Sequence, residues 1–436
     1  MAGNSTPIQG LAIAALVVVS CFALLRLWAV GQAVPGIDYY QFWVVGEAIE
    51  HDGLVNPYAD EERERIGALY LDRALASLPP RDDSLVTRFA AAAQARAVLE
   101  TYSTPFLYTG VHWLSSGDYE TDFNRWRILS LVAFVLGVLG IAQTVGMAWL
   151  PSLGLLAGLL LFFAPLQSET QVQNVNSVQL GLLAIAIALL QREDSASAQV
   201  AAGATLAIGA MFKPNVGLVV VLLFAAIAMS GKTHRTLLVA GGIAAGISFA
   251  FATSSVFLGS MNSWLDWISA ATSIPPNIIT TEMGNYAPLA FAFGESSNGL
   301  SAIFIVLLSI PVLAALWRKR DAEASALEMT TLAGLGCLIF VLTANLVWEH
   351  YFILAAPLLV AAWVPGLSSA SSGAGARLLH RTLPGLALVG LLATPTFEIS
   401  GLSHDIYFPL VQGGGTVILY GLAIRQLFAP REVSAA

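Results

Sequence analysis

Asp38 stands in the stretch Gly-Ile-Asp-Tyr-Tyr-Gln-Phe-Trp, residues 36–43, a carboxylate beside Tyr39, Tyr40, Phe42 and Trp43 just beyond a long apolar run. A carboxylate there can take a proton from a hydroxyl, the work of a general base on a lipid headgroup. It can equally be a solvated loop acid or the cap of a helix over 39–50. Asp52, Asp60 and Glu169 compete with it for the role of base. Lys213-Pro214-Asn215 breaks an apolar run at 199–230. Lysine is a compact charge suited to a phosphate, or a snorkelling side chain at a re-entrant turn. His350, in Trp348-Glu349-His350-Tyr351, suits a phosphate oxygen or a leaving group, and its bland alternative is an interfacial aromatic belt. Gln173, Asn174, Asn176 and Gln179 open another run, with Gln173, Asn176 and Gln179 spaced to share roughly one helical face. Such amides suit sugar hydroxyls or glue helices together.

Those residues must be held by elements that live in lipid. The chain of 436 residues is 56% hydrophobic and 11% charged, with mean hydropathy +0.73. Soluble domains carry roughly 25% charged residues. Lipid therefore replaces water over most of the surface, and the expected class is an all-α polytopic membrane protein, one integral domain over 1–436. Net charge is −8, and the sequence holds no basic patch, which excludes nucleic acid as a partner. Cys21 and Cys337 lie far apart in apolar runs and are expected to be buried, inert thiols. No Walker loop, dinucleotide fingerprint, Gly-x-Ser-x-Gly or metal-spaced histidine pair is present, so neither metal nor cofactor is expected.

Apolar runs fall at 8–30, 125–149, 151–166, 177–191, 199–212, 215–230, 236–258, 299–317, 325–347, 351–364, 383–397 and 407–427, about twelve transmembrane helices. The first is expected to be an uncleaved anchor. Several are shorter than the ~17 residues that cross a ~30 Å core, which points to a recessed cavity. Arg192, Lys232, Arg235, Arg318, Lys319, Arg320, Arg377, Arg381, Arg425 and Arg431 mark one set of loops. The opposite loops near 167–176, 259–298, 348–350 and 398–406 have no Lys or Arg. The positive-inside rule then puts both termini in the cytoplasm and the polar insert 31–123 outside. Within it, 59–75 and 84–100 have helical composition, separated by Pro79-Pro80, and Tyr102-Ser103-Thr104-Pro105-Phe106-Leu107-Tyr108 forms an aromatic patch. Loop 259–298 is a second extracytoplasmic loop, and 366–376 reads as a flexible linker. Polar groups gather at the outer ends of the runs, where a transporter would need them at the midplane.

Several stretches, in order over most of residues 10–360, resemble family 87 glycosyltransferases of the C-type membrane superfamily. Gly-Ile-Asp38-Tyr39-Tyr-Gln-Phe-Trp with Asn56-Pro57-Tyr58 resembles that family's first outer loop, and Tyr102-Ser-Thr-Pro105-Phe106 resembles the patch that ends it. Asn174-Val-Asn176-Ser-Val-Gln-Leu is similar to its Gln/Asn-x-Asn helix start, and Ala201-Ala-Gly203 through Phe212-Lys213-Pro214 to its Ala-Gly…Lys-Pro segment. Gly284-Asn285-Tyr286 and His350-Tyr351 are similar to its later motifs. Two departures are Ser-Thr-Pro where two prolines are usual and Asn174 where a glutamine is usual.

The resemblance implies an inverting transferase of the bacterial cytoplasmic membrane with an extracytoplasmic active site. It would move a hexose, mannose favoured, from a polyprenyl-phosphate-sugar donor to an envelope glycolipid or glycan acceptor. Asp38 would match the base. Lys213 and His350 would lie near the donor phosphate, with Tyr39, Gln173, Asn174, Asn176, Asn285 and Tyr351 as substrate-binding residues. The alternatives are a multi-pass transporter or lipid flippase, and a non-catalytic membrane scaffold.

Overall fold

Long apolar runs in lipid can satisfy their backbone groups only by closing hydrogen bonds within themselves, and this chain does so with helices. The computed structural model describes residues 7–78, 87–273, 285–294, 297–364, 401 and 403–429, and no strand occurs among them. Every expected apolar run falls on helical structure except 383–397, which lies outside the described residues with the tract 366–376 and Pro79-Pro80. Five helices are long and apolar enough to cross a membrane: α1 (Pro7–Gln32), α6 (Tyr119–Thr144), α12 (Thr233–Phe257), α15 (Ser297–Arg318) over its Gly299–Arg318 part, and α16 (Ala326–Thr343). A sixth is counted if α7 (Trp149–Phe162) and α8 (Ala164–Val172), bent by 59°, make one broken span. α9 (Asn176–Leu190), α10 (Ala196–Phe212), α11 (Gly217–Met229) and the 349–363 segment with α17 (Ala356–Trp363) are shorter apolar helices.

Packing is tightest where side chains are smallest. α10 lies against α12, and a Cβ on Gly203 would stand 2.3 Å from the Val239 carbonyl oxygen. One on Gly242 would stand 2.1 Å from that of Val200, so glycine is required at both for the backbones to approach. Outward faces stay apolar: Ile8, Leu11, Val18, Phe22 and Leu25 of α1 are all exposed. Cys337 is buried as expected, but Cys21 is exposed, because α1 packs along one side only.

The two ends of the bundle differ. At one, the turns after α9, α11 and α15 meet: Lys232 pairs with Glu193 and Glu323, Arg235 Nη1 lies 3.2 Å from Glu193, and Asp321 N–H donates to the Met229 carbonyl. At the other sits the insert: α2 (Ile37–His51), α3 (Asp60–Ala76), α4 (Arg88–Ala95) and α5 (Pro105–His112). They share an aromatic core of Tyr39, Tyr40, Trp43, Tyr70, Tyr108, Tyr119 and Phe123, separate from the main apolar core. The helix expected over 84–100 is shorter, Arg88–Ala95, because the chain turns away at Arg96 (φ −130°) and Arg63 Nε captures the Leu99 carbonyl at 2.7 Å. α13 (Ser263–Thr272) completes this end, its Trp267 Nε1 donating to the Tyr102 carbonyl at 3.0 Å.

Candidate active site

Gly36 sets the position of Asp38. Its φ of +70° and the 2.1 Å approach of a Cβ to Phe123 leave room only for glycine. Tyr119 Oη fixes the same turn by donating to the Pro35 carbonyl at 2.7 Å. Asp38 thus falls in the first turn of α2, where the helix dipole favours an anion. Its Oδ2 is turned away from capping and accepts from Asn174 Nδ2 at 2.7 Å. His350 Nε2 stands 3.8 Å from the same oxygen, too far for a hydrogen bond, with its side chain 3% exposed.

Two breaks in apolar helices bring the partners in. Between α8 and α9 the chain reverses through Gln173 at φ +58°. The buried Glu169 then caps α9, accepting from Ser177 N at 3.0 Å and Asn176 Nδ2 at 3.0 Å. Between α10 and α11 the chain breaks at Lys213-Pro214-Asn215, where proline at the first position of a short 3-10 turn needs no N–H. Gln179 Nε2 donates to the carbonyls of Gly209 and Lys213, both at 2.9 Å, and Asn215 Nδ2 donates to Asn176 Oδ1 at 3.0 Å. Held this way, Lys213 Nζ donates to Asn174 Oδ1 at 3.1 Å and sits 3.8 Å over the Tyr351 ring.

These groups lie around one cavity of about 550 Å³, within the roughly 300–1,000 Å³ of small-molecule sites. Asp38, Gln41, Glu100, Tyr102, Asn174, Lys213 and Asn215 line it with polar groups, and Phe340, Ala344, Leu346 and Trp348 add apolar side chains around Asn345. Tyr351 lines it too, while His350 is buried behind Asp38.

The remaining expected residues take other places. Tyr39 packs on Tyr119, Phe123 and Trp126 in the insert core. Gln173 bonds back to the Thr170 carbonyl at 2.9 Å, off the face of Asn176 and Gln179, because α9 starts only at Asn176. Asn176 is enclosed between Glu169 and Asn215. Asn285 Oδ1 accepts from Ala287 N and Val347 N, and its Nδ2 donates to the Asn345 carbonyl. The neighbouring Gly284 lies outside the described residues.

Thr104 joins the insert to the break, a role missed in the sequence. Its Oγ1 caps α5 through Leu107 N at 3.2 Å and donates to the Met211 and Phe212 carbonyls at 2.7 and 2.8 Å. The Thr-Pro pair was the available signal, since Thr at an N-cap followed by Pro is a helix start. Gln41 is a second such residue, its Oε1 accepting from Glu100 N at 2.6 Å. Among the described residues, no group of three or more His, Cys, Asp or Glu side chains is placed to hold a metal ion.

A family model described as glycosyltransferase family 87 matches residues 101–344, more than half of the chain. The match covers Thr104, Asn174, Asn176, Lys213 and Asn285, and begins after Asp38 and ends before His350. No curated protein and no solved structure matches the chain.

Proposed function

The chain belongs to glycosyltransferase family 87, and from that premise we propose that it transfers a hexose, mannose by preference, from a polyprenyl-phosphate-sugar donor to an envelope glycolipid or glycan acceptor. The observation that carries the proposal is the chain Asp38–Asn174–Lys213 along the cavity lining. A carboxylate and an ammonium in direct contact would satisfy each other. Asn174 stands between them, so the base faces a hydroxyl while the cation faces a phosphate.

Asp38 takes the proton of the acceptor hydroxyl as that oxygen attacks the anomeric carbon. The bond from that carbon to the phosphate oxygen breaks, and polyprenyl phosphate leaves with the electron pair. One displacement inverts the anomeric configuration. Lys213 stabilises charge on the departing phosphate, a contribution largest in a cavity shielded from water. His350, buried 3.8 Å behind Asp38 and off the cavity lining, shapes the surroundings of the carboxylate, which leaves the phosphate to Lys213. Tyr351 holds the Lys213 ammonium over its ring, and the prenyl chain follows the apolar side chains of the lining. Tyr39, Gln173, Asn176 and Asn285 act as positioning residues for the segments that carry the site.

We assign the fold to the C-type membrane class with about twelve spans, the short helices pairing around the cavity. The cavity opens on the extracytoplasmic side of the bacterial cytoplasmic membrane, the termini and basic loops lying in the cytoplasm. Supporting this, the loops rich in Lys and Arg gather at the bundle end opposite the cavity.

The test is transfer itself. Purified protein in lipid is given radiolabelled polyprenyl-phospho-mannose and a crude envelope glycolipid fraction, beside Asp38→Asn. Label passing to a new glycolipid with wild type and not with the variant supports donor and base together. Undiminished transfer by the variant removes Asp38 as base. No covalent transfer from any polyprenyl-phospho-hexose, with the lipid nonetheless moved across the bilayer, would replace the transferase by the flippase.

A further inference from the structure

A second cavity of about 440 Å³ lies beside the first, and Tyr102 lines both. Its chemistry is different. One wall is α13 with its C-cap Ser273, where Asp266, Ser269 and Ala270 lie on a single helical face at three- and four-residue spacing. The other wall is Asn56, Tyr58, Ala59 and Asp60 with Arg63. The walls are tied together: Asn56 Nδ2 donates to Asp266 Oδ2 at 3.3 Å, and Asn56 Oδ1 accepts from Tyr58 N at 2.9 Å. Tyr58 Oη donates to the Ser103 carbonyl at 2.9 Å, joining this wall to the segment that carries Tyr102.

Among the described residues Arg63 is the cation on this lining, and it is engaged: Nη1 with Asp60 at 2.9 Å, Nε with the Leu99 carbonyl at 2.7 Å and Nη2 with Tyr102 Oη at 3.3 Å. Asp60 and Asp266 then leave the lining negative. A phosphate is repelled here, while carboxylates, an amide and serine hydroxyls together offer what a polyhydroxylated neutral ligand needs. Lys213 holds the opposite pole, in the first cavity.

Resting on the transferase reading above, we propose that this second cavity binds the already assembled, reducing-side part of a saccharide acceptor. One or more neutral pyranose residues beyond the reacting one would lie against α13, with Tyr102 at the passage between subsites. The acceptor is then an oligosaccharide or a glycolipid with several sugars, and the donor's single hexose stays at Lys213.

Binding tests this without transfer. Saturation-transfer NMR is recorded on full-length protein in lipid nanodiscs with mannose and with manno-, gluco- and galacto-configured trisaccharides. It is repeated on Ser269→Trp, Asp266→Asn and Arg320→Ala, the last an exposed residue at the opposite end of the bundle. The expected result is that at least one trisaccharide binds wild type and Arg320→Ala alike. Its Kd rises at least tenfold with Ser269→Trp, which fills the cavity from an exposed helix position, and with Asp266→Asn. Ser269 is exposed, so a misfolded Ser269→Trp is not expected, and Asp266→Asn keeps the side-chain shape as a second check.

Three outcomes overturn the proposal: no trisaccharide binds, binding ignores Ser269→Trp and Asp266→Asn, or inorganic phosphate competes for the same site. The two readings fail separately. Saccharide binding without transfer leaves the subsite and removes the transferase. Transfer with no dependence on the α13 variants leaves the transferase and removes the subsite.

Discussion

Carboxylates of opposite character flank α2. At its first turn, Asp38 accepts from Asn174, has His350 near it, and opens on a cavity. Alongside its other end, Asp122 of α6 is buried and accepts from Trp43 Nε1 (3.2 Å), Ser115 Oγ (2.9 Å), Ser116 N (2.8 Å), Ser116 Oγ (2.7 Å) and Arg125 Nη1 (3.1 Å). Asp52, just past the helix, accepts from Tyr70 and, on both oxygens, from Arg73. A carboxylate already serving that many donors has little capacity left for a substrate proton. One with a single strong partner and an open side does. The proposal of Asp38 over the acids that compete with it in the sequence rests on how many donors each serves and where it faces. Glu169 caps a helix, and Asp60 pairs with Arg63 at the second cavity.

The largest effect that tests this contrast is on catalysis. Asp38→Asn should lower transfer by about 10²- to 10⁴-fold, the usual worth of a general base, with the thermal unfolding temperature nearly unchanged. Lys213→Met comes next. If it acts on the leaving phosphate as proposed, losing its charge should cost about 10²- to 10³-fold in kcat, by analogy with removal of one preorganised oxyanion donor. A KM effect alone would instead show that Lys213 merely binds the donor. Both experiments use initial rates with labelled donor.

Much of this contrast could not be read from the chain. Runs of apolar residues announced the helices, because lipid leaves the backbone no other partner. Lys213-Pro214 announced its own break, and the acid and lysine were visible as unusual types in unusual places. What stayed hidden was pairing across long sequence separations. Nothing in the spacing says that Asn174 would bridge Asp38 and Lys213, or that Asn285 would serve the 345–347 backbone. The periodicity of Gln173, Asn176 and Gln179 suggested one face, but a left-handed turn at Gln173 starts the helix later and leaves that residue out. Tyr39 stood next to the acid in sequence, yet consecutive helical residues point about 100° apart, which sends its ring into the insert core.

The other end of α2 should answer in stability. Asp122→Ala strands the Trp43 and Ser116 donors inside the insert, where a buried donor without an acceptor costs about 1–3 kcal/mol. The variant should unfold at lower temperature in detergent, and protein that remains folded should retain transfer. Loss of activity in fully folded Asp122→Ala would erase the distinction between the two ends.

The smallest effect is the most specific to one pair. Arg73 holds the Asp52 carboxyl below the usual carboxylate range through its hydrogen bonds, with Tyr70 adding a second donor. A carboxyl depressed in the folded state contributes stability that is fully present above its unfolded value, about 3.9. That contribution disappears as pH falls through the lower, folded value. The Arg73 side chain is 46% exposed, so solvent screens the pair and its worth at neutral pH is at most about 1 kcal/mol. Arg73→Ala should therefore unfold slightly earlier than wild type at pH 7, and the difference should shrink below about pH 4. Unfolding followed by tryptophan fluorescence from pH 7 to pH 3 measures it. A difference that grows toward acid would mean that Asp52 is not the carboxylate Arg73 holds, and that this end of α2 is less saturated than its geometry indicates.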